Sequence, residues 1–187
     1  MTTATLSNLG QLAGDYTLDP THTRIGFVAR HAMVTKVRGA FNEFEGGIHI
    51  DADDLSKSSA KLAIKVESID TRNADRDGHL RTNDFLDAQT YPEIGFASTG
   101  VKQVDDTTVR VTGDLTIKDV TKPIEIDFEF QGAATDPFGN ERVGFEGSTV
   151  INRKDWGITW NAALETGGVL VSEKVTLEFE VSAIKSA

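Results

Sequence analysis

"VRVTGDLTIK", Val109–Lys118, places Val109, Val111, Leu115 and Ile117 on one side of an extended chain and Arg110, Thr112, Asp114, Thr116 and Lys118 on the other. Successive side chains of a β-strand point to opposite faces, so this alternation marks a strand with one face buried and one in water. "IEIDFEFQ", Ile124–Gln131, repeats it with Ile124, Ile126, Phe128 and Phe130 against Glu125, Asp127, Glu129 and Gln131. "KLAIKVE", Lys61–Glu67, and "VTLEFEV", Val175–Val181, do the same. A helix needs apolar positions three and four apart, and no long segment supplies them.

Less regular strand candidates are Tyr16–Leu18, Thr23–His31, Phe41–Ile50, Ile94–Thr99 and Arg142–Asn152. Turn signals separate them: Gly46-Gly47, Gln103–Asp106, "TDPFGN" at Thr135–Asn140 and Gly167-Gly168. The reading is all-β, with about eight or nine strands. One apolar and one charged face per strand suits an antiparallel sheet around a single core. That sheet can be a filled sandwich or a barrel, and a barrel of about eight strands can hold one small ligand. The 187 residues read as one domain, 1–187, in which 1–13 is a flexible N-terminal arm.

Composition excludes several functions. The formal net charge is −10, which argues against a nucleic-acid backbone or an anionic membrane surface as partner. With no cysteine there is no disulfide, thiolate metal site or Cys nucleophile. No apolar run approaches the ~18 residues of a membrane helix, so the chain is not read as an integral membrane protein. The opening "MTTATLSNLGQLAGDY" lacks the basic and apolar regions of a secretory signal, which points to cytoplasmic placement.

The most polar stretch is "TRNADRDGHLRTNDFLD", Thr71–Asp87. From Asn73 it partly matches a calcium loop, with Asp75, Asp77, Gly78 and Asp84 in register. Both ends of that pattern are weak, Arg76 and Arg81 lie inside it, and a strand rather than a helix precedes it. The expectation is a polar connection with a short helical segment near 79–88, capped by Thr82 or Asn83. Its Arg and Asp residues pair locally, and it offers Phe85 and Leu86 to the interior. His22, His31, His49 and His79 form no metal-ligand spacing, and no metal is expected. No nucleophile motif or phosphate loop is present. Phe128, Phe130 and Phe179 share faces with Ile and Leu, and "RKDWGITW" adds Trp156 and Trp160. These aromatics read as core packing or as the lining of an apolar tunnel.

Five segments resemble the YceI-like family, the polyisoprenoid-binding proteins: "DPTHTRIGFVARHAMVTKVRGAFNEFEGGI", "ESIDTRNADRDGHLRTNDFLDAQTYPEIGFAS", "VTGDLTIKDVTKPIEI", "GFEGSTVINRKDWGITW" and "GGVLVSEKVTLEFEV". They run in order from about Asp15 to Lys185. The family often has Phe where Trp156 stands, Gly where Asp119 stands, and an acidic turn near Ser172–Glu173. The resemblance implies an extended, hollow, lipocalin-like antiparallel barrel. It implies a non-catalytic protein that binds, and carries or stores, a long-chain isoprenoid (a polyprenyl chain or isoprenoid quinone) or similar amphiphilic lipid. The bound lipid is then the ligand, with no separate cofactor. Many relatives are exported to the periplasm, the alternative to cytoplasmic placement.

On this reading Phe27, Phe41, Phe44, Phe85, Phe96, Phe128, Trp156 and Ile158 line the lumen, and His31, Arg38 and Asp84 meet a head group. An enzyme acting on such a lipid through His31 or His79, and a filled β-sandwich interaction module, are the alternatives. A homodimer is left open. Calcium titration is expected to give no saturable heat and no change in melting temperature.

Overall fold

The computed structural model describes residue 6, residues 11–165 and residues 167–186. The strands among them are β1 (Gly14–Leu18), β2 (Arg24–His31), β3 (Thr35–Phe41), β4 (Phe44–Ile50), β5 (Ser59–Lys65), β6 (Ile69–Asp70), β7 (Glu93–Gln103), β8 (Thr108–Ile117), β9 (Val120–Thr135), β10 (Glu141–Asn152) and β11 (Lys174–Lys185). One short helix, α1 (Ala74–Leu80), lies between β6 and β7.

The sheet closes on itself in the order β1-β4-β5-β7-β8-β9-β10-β11, and β11 pairs back to β1. Every pairing is antiparallel. β1 and β2 lie along the same edge of β11, at Leu18–Ala183 and at Arg24–Glu180. They are one barrel wall interrupted at residues 19–23. β3 and β4 form the next wall, and β5 and β6 the third, so the barrel is an eight-walled meander. At one end, the base, lie loops 51–58, 104–107 and 136–140. At the other, the rim, lie the β2–β3 turn, segment 71–92, the β8–β9 turn and segment 153–173.

The alternation in the sequence sets the wall orientation. Val109, Val111, Leu115 and Ile117 of β8 and Ile124, Ile126 and Phe130 of β9 are buried. Their charged neighbours face out, where Arg110 pairs with Asp127 at 2.8 Å. Leu6 is buried at the base, its N–H donating to Asp106 O at 2.7 Å. Residues 1–5 and 7–10 of the N-terminal arm lie outside the described residues.

Two sequence expectations shift. β3 was not among the strand candidates: "TKVRGAF" spends inward positions on Gly39 and carries Ala40, so its alternation is faint. The helix lies upstream of 79–88. Asn73, not Thr82 or Asn83, caps it, accepting from the Arg76 N–H at 2.9 Å, and Asp75 and Asp77 fill the acid-favouring first turn. Residues beyond Leu80 form turns, with the Thr82 hydroxyl donating to His79 O at 2.6 Å.

The break between β1 and β2 is held by charge. Asp19, 9% exposed, receives Arg142 Nη1 at 2.7 Å and the Thr21 N–H and hydroxyl, and lies 2.7 Å from His22 Nδ1. Arg142 Nε also donates to Asp136 at 2.7 Å. The guanidinium holds Asp19 far below the usual carboxylate range and pulls Asp136 from 3.8 to about 2. Carboxylates lowered in the folded state stabilise it above their unfolded pKa, and that contribution disappears as pH falls through the folded value. The melting temperature is therefore expected to drop between about pH 5 and pH 2. Arg142→Met should lower the melting temperature at neutral pH and flatten this acid limb, as read by thermal melts across pH.

Candidate functional site

The inward faces of the walls do not meet. They enclose a cavity of about 270 Å³ that runs from Ile48 and Val101 near the base to Leu80 and Val171 near the rim. Ile, Leu, Val and Phe dominate its wall, and among the described residues no Asp or Glu bounds it. Its volume is near the lower end of the ~300–1,000 Å³ typical of small-molecule sites.

Pairings between Phe and Gly keep the space open. Phe27 lies opposite Gly39, and a Cβ on that glycine would come within 2.3 Å of the ring. Phe128 lies opposite Gly147 and Phe96 lies diagonally across Gly113, where a Cβ would stand 2.8 and 2.5 Å from the rings. Each ring lies along the sheet over a neighbour with no side chain, instead of projecting into the lumen. Large apolar residues thus coat the wall without filling the barrel.

Segments 71–92 and 153–173 close the rim. The Thr71–Asp87 charges act mainly on backbone and hydroxyl groups. Asp77, 7% exposed, accepts from the Thr71 N–H and hydroxyl. Arg76 donates to Thr71 Oγ1 and Thr71 O at 2.7 Å each, and Arg81 donates to Glu67 O and Ile69 O. The expected Arg–Asp pairing is replaced because Thr71 and the carbonyls of Glu67 and Ile69 are nearer acceptors. His79 Nε2 lies 2.8 Å from Asp84 Oδ2, and Arg81 Nε lies 3.5 Å from Glu67 Oε2.

Phe85 is buried, and its ring meets His79 and Trp160, which joins this segment to 153–173. Arg153, 4% exposed, ties segment 153–173 together by donating to Ile158 O, Ser172 O and Val171 O. Burial pushes its guanidinium pKa down.

Of the expected lining, Phe27, Phe41, Phe85, Phe96, Phe128 and Ile158 bound the cavity. Phe44 and Trp156 do not. Phe44 packs where the base and rim-side cores meet, and Trp156 is buried with its indole N–H donating to Leu115 O at 2.9 Å. That bond turns the indole into the wall.

The expected head-group residues also lie off the cavity. Arg38 points outward beside Glu178, Asp84 is held by His79, and His31 is exposed where it bridges Val171. Of the polar residues along the cavity, His49, Ser59 and Lys61 are exposed on the outer face of β4 and β5, where His49 Nδ1 lies 2.7 Å from Asp15. Ser58 lies at the base and the buried Arg153 near the rim.

The family model described as a YceI-like domain matches residues 16–183. The chain belongs to the YceI-like family. A UPF0312 protein of Vibrio parahaemolyticus is 40% identical over 152 residues, 80% of each chain. One from Staphylococcus epidermidis is 40% identical over 169 residues, 90% of this chain and 95% of that one. Among solved structures, the Campylobacter jejuni YceI protein is 30% identical, with a TM-score of 0.73 over 84% of this chain and 90% of that one. A polyisoprenoid binding domain from Saccharophagus degradans shares the fold at 18% identity, with a TM-score of 0.70 over 91% of this chain and 98% of that one. The closed eight-walled barrel is the architecture expected of a YceI-like chain.

Gly39→Ala tests the hollow wall. The added methyl must push the Phe27 ring toward the lumen, which should cost about 1–3 kcal/mol and reduce uptake of an apolar fluorescent probe. Unchanged uptake in a folded variant would show that the ring has room elsewhere.

Proposed function

We propose that the lumen holds the apolar chain of an isoprenoid-type lipid, polyprenyl or quinone-tailed, and that the protein carries or stores it. The observation that carries this reading is the continuous cavity, which is walled by hydrocarbon and spans the barrel. A chain of repeated apolar units suits such a wall: each five-carbon unit contributes roughly 3–4 kcal/mol gross on burial. Ordering the tail offsets much of that gain. The family, and a neighbour of the same fold described as polyisoprenoid-binding, support the ligand class.

A hydrocarbon wall without carboxylates favours binding over turnover, since acid–base chemistry needs a titrating group within hydrogen-bond reach of the reacting atom.

Native mass spectrometry of the protein purified from its own host is expected to show a co-purifying lipid. Leu177→Trp, which enlarges a lumen side chain, is expected to lower that occupancy and the uptake of a polyprenyl probe by about tenfold. A wild-type protein with no lipid and no probe uptake would falsify the carrier reading.

A further inference from the structure

The acidic net charge is not spread evenly. From Pro20 to Asn42 the chain carries Arg24, Arg30, Lys36 and Arg38 and no Asp or Glu. This segment contains β2, its turn and β3, a hairpin that reaches the rim. Arg24 and Arg38 share one carboxylate, Glu178, at 3.6 Å each, so the hairpin stays basic. Near its tip Glu173 is matched by Lys154 at 2.7 Å. The base loops are the more acidic end, with Asp51, Asp53, Asp54, Asp105, Asp106 and Asp136 against Lys57, whereas in the rim segments acids such as Asp155 and Glu165 are nearly balanced by Arg and Lys.

The hairpin tip is apolar and exposed: Met33 is 60% and Val34 76% exposed to water. It is also held in shape. Ala32 N–H donates to Leu170 O at 2.7 Å, Val34 N–H donates to His31 O at 3.1 Å, and His31 bridges Val171. Ala32 and Met33 take φ values of 51° and 63°, left-handed conformations that a non-glycine residue adopts at a cost. The Met33 side chain lies across Gly168, where a Cβ would stand 2.0 Å from its sulfur. Val169, 37% exposed, adjoins it. Two loops therefore present three apolar side chains together, above a basic hairpin.

We propose that Met33, Val34 and Val169, flanked by Arg30 and Lys36, dock the rim of the barrel on an anionic lipid bilayer. Apolar side chains enter the interfacial region while adjacent cations meet anionic head groups, and a contact this small is reversible. The acidic base is repelled by the same surface, so the field orients the barrel with its rim toward the lipid. What docking achieves rests on the lumen reading: the rim end of the cavity, bounded by Leu80, Leu86 and Val171, then faces the bilayer.

Co-sedimentation tests this with vesicles of equal parts phosphatidylglycerol and phosphatidylcholine, against vesicles of phosphatidylcholine alone. The wild-type protein is expected to pellet with the anionic vesicles in low salt and to be released by high salt. Arg30→Glu combined with Lys36→Glu, and separately Met33→Glu combined with Val34→Glu, are each expected to lower partitioning roughly tenfold. Melting temperature and probe uptake should stay at wild-type values, because these side chains lie outside the cavity wall.

No pelleting of the wild type with anionic vesicles overturns docking. So does equal pelleting with both vesicle types, or partitioning that both double variants leave within about twofold of wild type. Docking without a lumen lipid would sink the carrier reading alone, and a lumen lipid without docking would sink this inference alone.

Discussion

The structure depends on closure of the sheet between its first and last strands. Tyr16, Thr17 and Leu18 pair with Lys185, Ile184 and Ala183, which leaves the ring without an unpaired edge at that seam. Backbone N–H and C=O groups are obligatory hydrogen-bonding partners, so an open seam would expose two strand edges. The seam is short because β11 divides one edge between β1 and β2. The Asp19–Arg142–Asp136 network sits at the interruption and ties it to the β9–β10 turn.

Once closed, a barrel of this strand number has an interior just wide enough for side chains to fill. Here the interior is held open by the Phe27–Gly39, Phe128–Gly147 and Phe96–Gly113 contacts, which lay large rings along the wall. The same sheet with side chains at those glycines would drive the rings inward, as in the filled alternative. Hollowness is thus a property of cross-strand pairs, set by register.

The two ends of the barrel are built differently. The base has short acidic loops. Two long segments close the rim, joined by His79, Phe85 and Trp160 and stitched by arginines that donate to backbone carbonyls. An arginine can satisfy several carbonyls at once through its fixed fork of donors, which suits it to holding irregular chain that has no ladder of its own.

The sequence by itself determined the strands of β8, β9 and β11 and the face each one buries, because period-two alternation is local and leaves only one apolar face. Its motifs were specific enough to indicate the family and the barrel. It did not determine β3, whose inward positions include glycine, or the extent of α1, where the Asn73 cap competed with Thr82 and Asn83 further on. Six of the eight expected lining residues bound the cavity; for Phe27, Phe41, Phe96 and Phe128, which lie in strands, inward phase follows from alternation. Trp156 and Phe44 depart because a hydrogen bond to Leu115 and the junction of two cores decide their orientation. The apolar tip with its basic flanks belongs to tertiary structure alone. It joins side chains from separate segments, and only loop contacts bring those segments to one place.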